Sequence, residues 1–181
     1  LDGVDTLLNI ETLKFNDKSV TLTPSATTVT VDDLLKPKVL ASSPTGELRD
    51  AVLSSDGRTA YVSSDDGYVT AYGSLTGEVL GRWKVGVSLT GMDVSADGRF
   101  LVVSEYEADN PYVLNPQIRV HLLDLATGSV KDYVASGFGS DGFHDAAFTS
   151  DGKVVLTQAF LNGSGAQPLT TLDLATGVFT M

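Results

Sequence analysis

The chain has 181 residues, 42% of them hydrophobic and 19% charged, which is ordinary for a globular protein with a domain-sized core. Its formal net charge of −11 and pI near 4.3 argue against nucleic acid and anionic membrane surfaces as partners, because both would be repelled. No apolar run approaches the roughly 20 residues that cross a bilayer. The absence of cysteine excludes disulfides, thiol catalysis and thiolate metal sites.

The first 22 residues differ in sequence pattern from the rest of the chain. Apolar and polar residues alternate loosely on both sides of the turn at residues 16–18, which predicts a short N-terminal β-hairpin. Half of a glycine-rich repeat precedes it at residues 3–7. An acidic chain suits cations, calcium above all, or simply solubility, and Asp5 in this half-repeat is a candidate calcium ligand.

This N-terminal segment resembles the end of the calcium-binding β-roll of secreted RTX proteins, the haemolysin and serralysin group. The residues that carry the resemblance are Gly3, Asp5, Thr6, Leu7, Asn9, Ile10, Glu11, Leu13, Phe15, Asp17 and Leu22. The resemblance implies a bacterial protein, secreted or at the cell surface, exported in one step by a type I system. One half-repeat supplies too few oxygens for calcium, so a hairpin whose Asp5 only shapes a turn is the alternative.

Residues 23–46 are polar and rich in threonine, serine and proline, which predicts a linker into the following part of the chain. The run at residues 27–31 is β-prone and could instead form an edge strand.

The remainder of the chain, residues 47–181, contains a repeat. Asp-Gly turns at Asp56, Asp97 and Asp151 each follow one strand-like run and precede another, and a Thr-Gly turn follows later in each unit. Glycine in such turns accepts a positive φ, so each unit is predicted to be a four-stranded antiparallel sheet. The pattern predicts an all-β fold, a partial β-propeller of about three blades, the last incomplete, at residues 47–87, 88–139 and 140–181.

These repeats resemble the blades of YVTN-type and WD40-like bacterial propellers, which share similar S-x-D-G and D-x-x-T-G turns. A propeller closes with about four to eight blades. We therefore expect the chain to be a segment of a longer protein, or to complete a ring with other copies of itself. The partners expected on this basis are the remaining blades or further copies of the chain.

The tight turns occupy one face of a propeller, so the longer connections lie together on the other, which is the expected binding face. Equivalent positions in the three inner strands are Arg49, Thr90 and His144. The candidate ligand-binding residues of this face are Arg49, Asp65, Asp66, Tyr106, His144, Gln158 and Asn162.

Three acidic residues between the second and third strands of the middle unit, Glu105, Glu107 and Asp109, are candidate metal ligands, with a solvated acidic loop as the alternative. His121 lies within a strand and is predicted to be structural. Trp83 is predicted to pack between blades.

The sequence favours a non-catalytic interaction module that binds protein or glycan through the irregular face, with calcium as a candidate cofactor. One alternative is a piece of a lactonase-like propeller hydrolase with a metal held by Glu105, Asp109 or His144. Another is a structural array of a surface layer or adhesin. No nucleophile-elbow, zinc-protease or phosphate-loop motif is present in the sequence.

Overall fold

The structure is a computed structural model, and it describes residues 12–14, 19–21, 46–106, 118–135, 142–159 and 169–181. The chain divides into two compact units, residues 1–38 and residues 39–181. In the first unit, β1 (Thr12–Lys14) and β2 (Ser19–Thr21) pair antiparallel, at the place where the sequence predicts a hairpin. Within the described ranges there is no helix long and apolar enough to cross a membrane.

The second unit contains three four-stranded antiparallel sheets, each with its strands in sequence order, which we call blades one, two and three. Blade one consists of β3 (Leu48–Leu53), β4 (Thr59–Ser64), β5 (Tyr68–Gly73) and β6 (Val79–Lys84). Blade two consists of β7 (Leu89–Val94), β8 (Phe100–Glu105), β9 (Ile118–Asp124) and β10 (Val130–Ala135). Blade three consists of β11 (Gly142–Phe148), β12 (Lys153–Ala159), β13 (Thr170–Asp173) and β14 (Phe179–Thr180). This all-β architecture of propeller blades confirms the predicted fold class.

The Asp-Gly turns have the same internal chemistry in blades one and two. The Ser54 hydroxyl donates to Asp56 Oδ1 at 2.7 Å and accepts the Thr59 amide at 3.0 Å. Ser95 and Asp97 repeat the first of these bonds at 2.6 Å. The hydrogen bond from the serine hydroxyl lowers the pKa of Asp56 and of Asp97 below its ordinary value. The following glycines have φ near 70°, a region open to glycine at little cost.

The cores lie between the blades rather than inside one sheet. Blades one and two enclose a first cluster of buried residues, Val69, Val85, Leu89, Met92, Leu101, Val103 and Leu123. Trp83 packs against this cluster, in agreement with the sequence prediction. Blades two and three enclose a second cluster, Val102, Ile118, Val120, Tyr133, Ala135, Phe143, Ala146, Val154, Leu156 and Leu172. Burial of these apolar surfaces between sheets is the main force that holds the blades side by side.

Hydrogen bonds also cross both seams between blades. The Met92 amide of blade two donates to Asp50 Oδ2 of blade one at 2.8 Å. At the next seam, the Phe148 amide of blade three donates to Asp93 Oδ2 of blade two, also at 2.8 Å. The inner strands of blades one and two therefore each supply a carboxylate that satisfies a backbone amide of the blade that follows.

The inner strands share one irregularity at the same height. The pairing registers shift between Leu48 and Asp50, between Leu89 and Met92, and between Phe143 and Asp145. An extra residue in one strand of a ladder is a β-bulge, which re-aims the side chain at that point. Arg49 and His144 are the bulged residues of blades one and three, so the sequence alignment of these positions holds in the structure.

Candidate binding face

The irregular connections begin at one edge of all three blades. In blade one, residues 65–67 join β4 to β5 at this edge, and residues 85–88 lead on to blade two. In blade two, β8 ends and β9 begins at the same edge, and in blade three β12 and β13 do so. We call this edge the loop face. The six tight glycine turns lie at the opposite edge, which we call the turn face.

On the loop face of blade one, Arg49 is held by carboxylates. Its guanidinium donates to Asp65 Oδ2 at 2.9 Å and lies 3.5 Å from Glu47 Oε2. Asp65 Oδ1 in turn accepts the Glu47 amide at 2.8 Å. The bulge at Arg49 and the turn at Asp65 are therefore joined, and two predicted site residues lie together.

Beside them, Asp66 organises a group of cations around an aromatic ring. Its Oδ2 accepts a hydrogen bond from Arg82 at 3.3 Å, and its backbone carbonyl accepts one from Lys84 Nζ at 2.6 Å. The Arg82 guanidinium lies 3.8 Å from the Tyr68 ring centroid, and Lys84 Nζ lies 4.8 Å from it. These distances are in the range of cation–π attraction. We call Arg49, Asp65, Asp66, Tyr68, Arg82 and Lys84 the charged cluster.

Gly67 allows the two connections of blade one to approach each other. Its φ is +82°, and a Cβ at this position would lie 2.1 Å from the carbonyl oxygen of Gly86. The Gly67 carbonyl accepts the amide of Val85 at 2.9 Å. The backbone beside the charged cluster is therefore held by contact between the two connections, residues 65–67 and residues 85–88.

On the loop face of blade two, a histidine lies between two carboxylates. His121 Nδ1 lies 2.9 Å from Asp132 Oδ1, and His121 Nε2 is hydrogen-bonded to Glu105 Oε2. His121 is 2% exposed and Glu105 is 8% exposed. The other oxygen of Glu105 accepts the amide of Val87, at the entry to blade two. We call Glu105, His121 and Asp132 the buried triad after its first two members, since the Asp132 side chain is 51% exposed.

The two buried members of this triad stabilise each other's charge. Burial alone would lower the pKa of His121, but hydrogen bonds to Glu105 and Asp132 outweigh it and raise that pKa above 6.5. Burial alone would raise the pKa of Glu105, but the bond to His121 and the backbone amides outweigh it and lower that pKa below 4.5. Each member of this pair therefore favours the charged form of the other, the imidazolium of His121 and the carboxylate of Glu105.

These shifts predict a pH dependence of folding stability with two limits. The contribution of His121 is fully present below its ordinary pKa of 6.5, and it is lost as pH rises through the raised folded value. The contribution of Glu105 is present above its ordinary pKa of 4.5, and it is lost as pH falls through the lowered folded value. We expect the free energy of unfolding, measured with urea from pH 3 to 9, to be largest between these limits. The turn aspartates with lowered pKa also lose stability at acid pH, so only the loss of stability at alkaline pH can be attributed to His121. A Glu105→Gln/His121→Thr variant should not show this alkaline loss.

The structure places the other predicted residues separately. Tyr106 is half-buried and pairs with Gly142 in an isolated bridge, and its amide donates to Ser88 O at 2.9 Å. His144 is exposed on β11. The Gln158 amide group donates to Thr170 Oγ1 at 2.9 Å. Asp145 Oδ1 accepts the amide of the following residue, Ala146, at 2.9 Å, so this carboxylate binds the backbone of its own strand.

Four predicted residues, Asp5, Glu107, Asp109 and Asn162, lie outside the described residues. Their roles remain predictions. Within the described ranges, no group of three or more histidine, cysteine, aspartate or glutamate side chains is arranged to hold a metal ion.

Sequence reasoning did not single out Tyr68, Arg82, Lys84 or Asp132. The signal for Asp132 was cross-strand pairing, because it lies directly opposite His121 in the ladder. Tyr68 and Lys84 are likewise direct partners in the β5–β6 ladder. Both pairs could be found from the sequence only once the length of each turn, and with it the register, was known.

A comparison with protein-family models matched residues 36–132, more than half of the chain, to the family described as cytochrome D1 heme domain. The match covers blade one and all but the last residues of blade two. No curated protein matches the chain. The family is one of eight-bladed β-propellers, so the β-propeller expectation is confirmed, while the RTX and YVTN assignments remain predictions.

The family description names a heme, and among the described residues neither His121 nor Met92 fits as a ligand of its iron. Heme iron is held by histidine, cysteine, methionine or tyrosine side chains. Both ring nitrogens of His121 are engaged within the buried triad, and Met92 is 2% exposed in the core. His144 is exposed at the surface of β11. A cavity of about 480 Å³ on blade three offers none of these ligands; it is lined by Lys153, Thr171, Asp173, Thr176, Val178 and Thr180.

Proposed function

Because the chain belongs to the cytochrome D1 heme domain family of β-propellers, we propose that it is a non-catalytic binding segment of a propeller, which contacts a protein partner through its loop face. The observation that carries this proposal is the charged cluster of blade one. The resemblance of residues 1–22 to RTX proteins supports a secreted bacterial setting. We also propose that Glu107 and Asp109 bind calcium.

The composition of the charged cluster favours a protein partner over a glycan. Tyrosine and arginine are enriched among the residues that dominate protein–protein binding energy. The Tyr68 ring is covered by the Arg82 guanidinium at 3.8 Å, so a sugar would have to displace this cation to stack on the ring. Bonds to Asp65 and Asp66 hold Arg49 and Arg82 in place, which lowers the entropy lost when a partner binds.

The alternative of a metal-dependent hydrolase has less support among the described residues. Glu105 bonds to His121 and to the Val87 amide, so its carboxylate is occupied within the seam between blades one and two. Without Glu105 the predicted metal set loses its one described carboxylate. A binding function requires only the rigid scaffold and the polar loop face that are present.

The experiment selects binders from a displayed random-peptide library on the full chain and measures their affinity for variants. We expect Tyr68→Ala and Arg82→Ala to weaken binding at least tenfold, the loss typical of removing a dominant interface residue. Arg58→Ala is the matched control, because Arg58 is an exposed cation of the turn face, 86% exposed at its side chain.

Two outcomes would contradict the proposal. In one, the selected peptides lose affinity for Arg58→Ala and keep it for Tyr68→Ala and Arg82→Ala. In the other, a glycan array yields binders that depend on Tyr68 while the peptide library yields none, which would make the partner a carbohydrate. Circular dichroism of each variant separates lost binding from lost folding.

A further inference from the structure

The outer face of blade three repeats a surface that is buried in the other two blades. The registers place Val155 and Thr171 at the positions of Val102 and Leu122 in blade two, and Leu169 at the position of Val120. Val120 and Val102 are fully buried by blade three. Leu169 is 61% exposed. We call the surface formed by Asp145, Val155, Thr157, Leu169 and Thr171 the trailing face of blade three.

Asp145 on this face has the position and the local bond of Asp50 in blade one. Asp50 lies opposite Ser63, and Asp145 lies opposite Thr157, just after the bulge of each inner strand. Asp50 Oδ1 accepts the amide of Ala51 at 2.8 Å, and Asp145 Oδ1 accepts the amide of Ala146 at 2.9 Å.

In blade one, the second carboxylate oxygen of this aspartate bonds across the seam to the amide of Met92. Asp145 has the equivalent position in blade three, and it is exposed.

The seam between blades one and two also shows which kind of blade can donate a backbone amide to the second carboxylate oxygen of this aspartate. An aspartate at this position takes the amide of the next residue in its own strand, as Asp50 and Asp145 do. Blade two has Gly91 there, so the Met92 amide is left for the carboxylate of the preceding blade. A blade with aspartate at this position has no such amide to give.

We propose that the trailing face binds a further propeller blade of the blade-two type, with glycine rather than aspartate at the position of Gly91. Asp145 Oδ2 accepts the amide that follows this glycine. Thr157 takes the place of Ser63, whose hydroxyl donates to the Thr90 carbonyl of blade two at 2.7 Å, so Thr157 donates to the equivalent carbonyl.

The same chemistry disfavours blade one of a second copy of the chain as the occupant. Asp50 stands at the glycine position of that blade and already binds the Ala51 amide. The trailing face is also more polar than the seam faces of blades one and two, since Thr171 stands where those blades have Ala71 or Leu122. Docking here depends more on hydrogen bonds than the two seams within the chain do.

The experiment appends a copy of residues 83–135 directly after Met181, since Met181 follows Thr180 as Arg82 follows Gly81 in the outer strand of blade one. Hydrogen exchange measured by mass spectrometry reports whether the appended copy folds, and urea unfolding reports stability. We expect protected amides throughout the strands of the copy. We expect Asp145→Asn to lower the urea midpoint of the extended chain by as much as Asp50→Asn does, and to leave the midpoint of the original chain unchanged.

The matched variant is Gly91→Asp in the appended copy alone, where no later blade lies against that position. It should lower the midpoint as Asp145→Asn does, and the two changes together should cost no more than either one. An appended copy with unprotected amides would overturn the proposal. So would an equal effect of Asp145→Asn in both chains, or a dimer of the original chain that Asp145→Asn dissociates.

Discussion

His121→Thr is expected to lower the free energy of unfolding by about 3 kcal/mol, the usual cost of removing one partner of a buried ion pair. The change leaves Glu105, which is 8% exposed, without the imidazolium that bonds to its Oε2. Threonine is the residue that blades one and three have at this position, as Thr70 and Thr170. It therefore suits the backbone, and the loss reports the missing charge rather than a poor fit to the strand. Urea unfolding at pH 6 is the measurement.

The control restores a pair that the protein already contains. Gln158 stands in blade three where Glu105 stands in blade two, and it donates to Thr170 at 2.9 Å. Glu105→Gln added to His121→Thr reproduces this neutral pair and should recover most of the lost stability. If the double variant is as unstable as His121→Thr alone, the cost arises from lost packing of the imidazole and not from the unpaired carboxylate.

Gly91→Ala is expected to lower the free energy of unfolding by about 2 kcal/mol, within the range for overpacked sites. A Cβ at Gly91 would lie 2.3 Å from Asp145 Oδ1, 2.7 Å from Asp145 Cα and 2.8 Å from the His144 carbonyl oxygen. Two of these atoms belong to the backbone of blade three, so the contact is relieved only if the blades separate. An ordinary glycine-to-alanine change within a strand would instead add stability, because it reduces the entropy of the unfolded chain.

Gly57→Ala separates this contact from the effect of backbone conformation. Gly57 has φ of +68° and open space where its Cβ would be, so its replacement costs about 1 kcal/mol through φ alone. Urea unfolding of both variants should show the larger loss at Gly91. A gain in stability for Gly91→Ala would show that the seam between blades two and three yields readily, contrary to the close contact seen here.

The repeat could be predicted because its turns are local. Asp56-Gly57 and its two counterparts specify a hairpin within a few residues, through a side-chain bond to the backbone and a positive φ. The alternating apolar residues between them then define the strands. The face on which Arg49, Asp65 and Asp66 lie follows from this order of strands alone.

The bonds between blades could not be predicted in this way. The link from Met92 to Asp50 joins residues 42 positions apart and depends on a bulge in each inner strand. Asp50 and Asp145 directly follow the candidate site residues Arg49 and His144 in the sequence, and the structure uses both to bind backbone amides. The sequence predicts His121 to be structural, but its ionic partners depend on a register that the sequence leaves open.

The bulged residues of the inner strands can change without changing the sheet. Arg49 and His144 are the residues that the ladder skips, so neither makes a register pair with the adjoining strand. Exchange of a guanidinium for an imidazole at these places leaves the sheet hydrogen bonds untouched. Blades one and three can thus present different side chains at the inner rim while both keep the same ladder.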